Sequence, residues 1–306
     1  YFFKMNVLTI VGPTAVGKTG LAVEVAKRIS GEIISADSRQ IYKHLDIGTA
    51  KPNAKQRKDV KLHLVDFIEP DQNYSCGQFA RDAEEKTRDI VQRKRYPIIC
   101  GGTGLYIRAL FQPLDELPAS NKEIKERLHI AMDEHGLEHL YQRLLRIDAA
   151  WARSITPRDK QRIIRGLEVY EMTGKPLTEL IGKKKKHTEL KPFYVGLVLD
   201  RAILYARIDR RFDGMIQDGL VNEVKSLLAR GFDPRSNALR TIGYKEIVEH
   251  LQGRMKLDEA IESAKRHTRN FAKRQITWFN RIPGITWHDP EEPGLVDIII
   301  ESIETM

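Results

Sequence analysis

A chain of 306 residues, 41% hydrophobic and 30% charged, has the length and composition of a globular protein with a full core and room for an insertion. It contains no apolar run near the roughly 20 residues that cross a bilayer, and its two cysteines, Cys76 and Cys100, exclude a disulfide framework or a cysteine-rich zinc site. The net charge of +9 favours a polyanionic partner.

Tyr1 to Lys4 is too short for a signal peptide, and Met5 reads as the native start, so a reducing cytoplasm is the expected setting. Val7 to Val11 is short, apolar and β-branched, as buried parallel strands are. A glycine loop follows, then Leu21, Val23, Ala26 and Ile29 keep a helical rhythm until Ser30-Gly31 stops it. Glu32 to Ser35 is the next predicted strand and delivers Asp37 at its end; His63 to Ile68 is a third. Ser75 to Lys94 reads as a helix with Phe79, Ala83, Thr87 and Ile90 on one face. Tyr96 to Cys100 is a fourth strand, running into Gly101-Gly102-Thr103-Gly104.

Strands alternating with helices predict an α/β fold with a parallel, P-loop NTPase-like sheet, whose ligands sit at the carboxyl ends of the strands. From 114 to 191 the pattern turns helical (121–146 and 157–172) and ends in Lys183-Lys184-Lys185-Lys186-His187, a solvated run. Strand character resumes at Phe193 to Leu199, so an inserted helical domain, 114–191, is expected to interrupt a core made of 1–113 and 192–306. A long helix from Lys256 to Asn280 sets Ile261, Ala264, Thr268, Phe271, Gln275 and Phe279 on one face. Lys265, Arg266, Arg269, Lys273, Arg274 and Arg281 lie mostly elsewhere, where they could meet a nucleic-acid backbone.

Gly12-Pro13-Thr14-Ala15-Val16-Gly17-Lys18-Thr19 fits G-x-x-x-x-G-K-[ST] throughout. The glycines let successive amides face an anion and the following helix adds its positive end. Lys18 supplies a cation for the outer phosphate and Thr19 a hydroxyl for Mg²⁺. A kinase also needs a second acidic metal ligand, for which Asp66 and Asp37 are the candidates.

Several blocks together resemble the tRNA dimethylallyltransferases, the bacterial tRNA isopentenyltransferase family. They are Gly12 to Thr19, Ile34 to Lys43, Asp46 to Pro52, Gly101 to Tyr106, Asp159 to Arg162 with Arg165 to Val169, Gly243-Tyr244, and Ala272 to Trp278. The resemblance implies transfer of a dimethylallyl group from dimethylallyl diphosphate to N6 of the adenosine at position 37 of tRNA. The inserted helical domain is then expected to embrace the anticodon stem-loop.

By that resemblance Asp37 is the general base and Thr103 a hydrogen-bond donor to the bridging oxygen. Gly12, Thr14, Ala15, Val16, Gly17, Lys18, Thr19 and Arg211 would hold the diphosphate. The residues matched to tRNA are Ser38, Arg39 and Gln40; Gln161, Arg162, Ile163, Ile164 and Arg165; Arg240, Tyr244 and Lys245; and Lys273 with Arg274. Read without the resemblance, Asp37 can equally cap a turn, and Thr103 can cap a helix. Trp151, Trp278 and Trp287 read as packing residues. No membrane or protein partner is called for. The alternatives are an adenylate isopentenyltransferase using free AMP, a P-loop small-molecule kinase, and a nonenzymatic RNA-binding protein.

Overall fold

The computed structural model describes residues 5–52, 58–112, 115, 117–182 and 189–305. The lysine run at 183–187 and the opening residues 1–4 lie outside them. The chain divides into two compact units, Tyr1–Phe111 with Thr188–Met306, and Gln112–His187.

In the first unit, six parallel strands pair in the order β3-β2-β4-β1-β5-β6. They are β1 (Met5–Val11), β2 (Gly31–Ser35), β3 (Leu62–His63), β4 (Tyr96–Gly101), β5 (Leu190–Leu197) and β6 (Thr286–His288). The central strands β1, β2 and β4 are buried nearly throughout, as continuous apolar runs require when helices cover both faces. Helices α1 (Lys18–Arg28) and α2 (Cys76–Gln92) connect them, followed by α3 (Gly104–Phe111). One face buries Leu8, Ile10, Val25, Ile33 and Ile98, and the other Val7, Ile34, Phe79, Ile90 and Ile99. Successive residues of each strand thus serve opposite layers.

Ser75 opens α2 with a capping box, its hydroxyl accepting from Gln78 N at 3.1 Å while Gln78 Oε1 accepts from Ser75 N at 2.8 Å. A third apolar cluster joins Tyr42 and Leu45 to helices near the C-terminal end of the chain. These are α8 (Arg201–Gln217), α9 (Leu220–Ala229), α10 (Tyr244–Leu251) and α11 (Leu257–Phe279); α12 (Leu295–Glu304) packs on α1.

The second unit contains α4 (Lys122–Ile147), α5 (Ala149–Ser154), α6 (Lys160–Thr173) and α7 (Leu177–Leu180), around Leu128, Leu140, Leu144, Ile163 and Leu167.

Three expectations change. The predicted strand at 63–68 is only Leu62–His63, because Leu64 and Asp66 take positive φ of 58° and 61° and turn the chain away. The helix expected at 121–146 breaks at Gly136 (φ 84°, ψ 161°), so two helices meet there. The helical unit ends at 187 rather than 191, since Leu190 and Lys191 already pair with Met5 and Asn6 of β1.

Candidate active site

The site lies at the carboxyl ends of β1, β2 and β4. Val11, the last residue of β1, pairs with Gly101 and Gly196, and the phosphate loop leaves from there. Gly12 takes φ +147° with Leu197 O only 2.6 Å from where a Cβ would stand, so only glycine admits this departure. Gly17 (φ 109°) then starts α1, leaving Lys18 and Thr19 in the first helical turn.

The turns after β2 and β4 are tied together by backbone. Ala36 N donates to Cys100 O at 2.8 Å and Thr103 N to Ala36 O at 3.1 Å. Asp37 and Thr103 are thereby neighbours. Thr103 Oγ1 accepts from Ser38 N at 3.0 Å, and Asp37 Oδ1 accepts from Arg39 N at 2.8 Å and Gln40 N at 3.3 Å. One oxygen of Asp37 shapes the turn. The other, Oδ2, has no hydrogen bond among the described residues, and Asp37 lines a cavity.

That cavity, about 500 Å³, has a polar end and an apolar band. Thr14, Asp37, Thr103 and Arg211 supply the first; Ile208, Phe212, Met215 and Phe271 supply the second, with Leu105 and Trp278 on the same lining. Arg211 projects from α8 and its Nη2 donates to Thr14 Oγ1 at 2.7 Å. Lys18 Nζ donates to Pro13 O at 2.6 Å, folded back over its own loop.

Burial pushes the Lys18 ammonium down to about 8; the Arg211 charge adds to the push and Asp37 opposes it. Burial lowers Arg211 as well, again against Asp37. The Cys100 thiol beneath them is pushed up to about 12 by burial, which keeps it neutral. Two desolvated cations beside one carboxylate is an arrangement that lacks an anion.

Residues 40–282 match the family model described as IPP transferase, and residues 5–68 the one described as Isopentenyl transferase. The chain is 48% identical over 295 residues to the tRNA dimethylallyltransferase of Carboxydothermus hydrogenoformans, covering 96% of this chain and 94% of that one. It belongs to the tRNA dimethylallyltransferase family. The full-length tRNA isopentenylpyrophosphate transferase of Bacillus halodurans superposes with a TM-score of 0.71 at 36% identity, over 98% of this chain and 96% of that one. A eukaryotic dimethylallyltransferase acting on tRNA gives 0.78 at 27% identity, over 97% and 77%.

Within this family member, several residues matched to tRNA are already committed inside the protein. Tyr244 is fully buried and its hydroxyl donates to Glu223 Oε1 at 2.5 Å, so in the free protein it packs as a core residue. The Ile163 and Ile164 side chains are likewise core, 0% and 3% exposed in the helical unit, because they fall on the inner face of α6. Gln40 Oε1 accepts from Ser35 Oγ at 3.3 Å, and its Nε2 donates to the Thr49 and Ala50 carbonyls at 3.3 and 3.1 Å. Arg39 holds Asn237 O at 2.7 Å, and Arg165 holds Glu168 at 2.7 Å and Pro118 O at 2.6 Å.

Gln161 and Arg162 are exposed on α6 of the helical unit. In the other unit Arg240, Lys245, Lys273 and Arg274 are exposed, and Arg240 and Arg274 line the cavity. On α11, Lys265 and Arg269 are not available to RNA as expected. They pair with Asp213 at 2.7 Å and Asp209 at 2.6 Å on α8. Asp66, the candidate second metal ligand, pairs with Lys51 at 2.6 Å. Trp278, read as packing alone, also lines the cavity beside Arg274 and Phe271.

The sequence reading placed Gln275 on the apolar face of its helix and missed its role. The side chain is 6% exposed; its Oε1 accepts from Thr14 N and its Nε2 donates to Gly102 O, both at 2.8 Å. It joins the phosphate loop to the glycine turn. The available signal was an amide standing in an otherwise apolar stripe.

Proposed function

We propose that the chain transfers a dimethylallyl group from dimethylallyl diphosphate to N6 of the adenosine beside the anticodon of tRNA. The observation that carries this reading is the polar end of the cavity. Asp37, Lys18 and Arg211 lie within electrostatic reach of one another, with an apolar band beyond them.

The diphosphate lies on the loop amides, Lys18 and Arg211, and the allyl tail lies along the band. The adenine amine is a weak nucleophile because its lone pair is delocalised into the ring. As N6 bonds to the allylic carbon, the carbon–oxygen bond breaks, pyrophosphate leaves with both bonding electrons, and the N6 proton passes to Asp37 Oδ2. Such general-base help is worth roughly 10² to 10⁴ in rate. Lys18, Arg211 and the loop amides hold the charge that grows on the leaving group.

Mg²⁺ fits the donor set present. Among the described residues no group of three or more His, Cys, Asp or Glu side chains could hold a metal. Mg²⁺ keeps several waters and binds substrate phosphates, so Thr19, in the first turn of α1, would supply one protein oxygen and the diphosphate and water the rest. When bound, it neutralises charge on the diphosphate.

The kinase reading loses support from Asp66, whose carboxylate is held by Lys51. The test offers labelled dimethylallyl diphosphate with tRNA, AMP or no acceptor, and ATP in parallel. Label enters tRNA alone, and Asp37→Asn, which keeps the turn-forming oxygen, lowers kcat by roughly 10² or more at unchanged thermal stability. ATP consumption without prenyl transfer would refute the assignment.

A further inference from the structure

Five threonines line the cavity. In four of them the hydroxyl is engaged: Thr14 Oγ1 accepts from Arg211, and Thr103 Oγ1 accepts from Ser38 N. Thr49 Oγ1 donates to Leu45 O at 2.5 Å and Thr268 Oγ1 to Ala264 O at 2.8 Å. The fifth is Thr241, just before α10. Its main chain is satisfied, N donating to Ala238 O at 3.1 Å and O accepting from Lys245 N at 3.0 Å. Its side-chain hydroxyl is not. The residue is 7% exposed, and Oγ1 is the one buried side-chain polar atom without a partner among the described residues.

An unpaired buried hydroxyl is unfavourable, and where one survives beside a cavity the ligand is the natural partner. The proposed reaction puts two occupants there, and their chemistry decides between them. The polar atoms of an allyl diphosphate are all in the diphosphate, held at Thr14 and Arg211, and its tail has no hydrogen-bonding atom. A purine carries three ring nitrogens that accept.

We infer that Thr241 is a specificity-determining residue that donates its hydroxyl hydrogen to a ring nitrogen of the acceptor adenine, so that the base is gripped by its ring while N6 is presented to Asp37. This rests on the tRNA prenylation reading above. A site built to hydrogen-bond one substrate atom rejects analogues that lack it, because the site's own group is then left unpaired.

The experiment uses the whole protein, dimethylallyl diphosphate, and anticodon stem-loops in which N1, N3 and N7 of the acceptor adenine are replaced in turn by C–H. With wild type, one replacement lowers kcat/KM for the stem-loop about tenfold, the scale of one hydrogen bond. Thr241→Val loses about tenfold on the natural stem-loop and nothing further on that one analogue, with donor KM unchanged. Thr241→Ser keeps wild-type behaviour. Thermal stability of the valine variant equals or exceeds wild type, since the orphaned hydroxyl is gone.

The inference is overturned if the valine variant is as active as wild type, if its loss multiplies with every analogue, or if donor KM alone responds. It is equally overturned, with no variant needed, if wild type accepts all three replacements within about twofold, short of one hydrogen bond. A wild type that prenylates nothing, the unmodified stem-loop included, overturns the function itself, and is recognised by the absence of any turnover.

Discussion

Replacing Gln275 with leucine separates the scaffold of the site from its chemistry. The amide bridges Thr14 N and Gly102 O at 2.8 Å each, and its Nε2 fills the space where a Cβ on Gly102 would stand. Leucine has similar volume, so the packing around the 6%-exposed position survives while two backbone groups lose their partners. Each such loss is worth about 1–3 kcal/mol when the group stays dry. Both groups belong to residues that border the cavity, where water can enter, which puts the sum near the lower end, about 2–3 kcal/mol. For a chain of this size that lowers Tm by roughly 3–5 °C. Because Thr14 N is a loop amide, donor KM should rise about tenfold, whereas stem-loop KM should change little. Thermal unfolding and steady-state titration of each substrate check both halves. A Tm within about 2 °C of wild type together with unchanged donor KM would refute the bridge as the element that sets the loop.

Donor binding should depend on pH through Lys18, which is held at about 8 in the free protein. Diphosphate favours the charged ammonium, so donor KM is flat below about pH 7 and climbs up to tenfold per unit above pH 8, as binding must recapture a proton; Lys18→Met abolishes the slope. Glu32 is 2% exposed and lowered to about 2, chiefly by its hydrogen bonds to Arg93, with His63 at 2.6 Å. Its folded pKa is depressed, so its stabilisation, about 3 kcal/mol at most, is present above the unfolded value of 4.5 and is lost as pH falls towards 2. The Tm gap between wild type and Glu32→Gln should therefore be widest near neutrality and close in acid. Tyr244→Phe leaves Glu223 and Gly48 N without that hydroxyl, so it should cost about 1–2 kcal/mol in urea unfolding and leave stem-loop KM within twofold. A selective rise in stem-loop KM would instead mark Tyr244 as an RNA contact.

The sheet was legible because its strands carry a two-sided apolar signal. Val7 to Val11 and Ile33 to Ile34 are β-branched and uninterrupted, and such runs have few alternatives to a central parallel strand. The phosphate loop was legible for a related reason: a departure at φ +147° against Leu197 O admits only glycine, so geometry writes itself into residue type. What the sequence hides is which donors the fold already engages. Arg39, Gln40 and Arg165 carry donors suited to RNA, but their partners, Asn237, the Thr49 carbonyl and Glu168, become neighbours only through the tertiary fold. The basic stripe of α11 failed at Lys265 and Arg269 because the pairing carboxylates sit on α8, about 50 to 60 residues earlier. Thr241 offered no signal, since an orphaned hydroxyl is defined by what does not surround it.

The same desolvation has two consequences that belong together. Burial loosens the hold of Lys18 on its proton and lowers Arg211, which is a cost to the ligand-free protein. In that poorly screened environment each cation also attracts phosphate more strongly than it could at the surface. The charge on the leaving oxygen rises as the carbon–oxygen bond stretches, so this attraction grows along the reaction and favours the transition state over bound donor. An allylic carbon that has lost its leaving group reacts with any nucleophile present, water included. Ile208, Phe212, Met215 and Phe271 offer water no hydrogen bond along the band to which the proposed reaction assigns the tail. In the proposed reaction the charged end therefore drives departure, and the apolar band leaves the adenine amine as the nucleophile within reach.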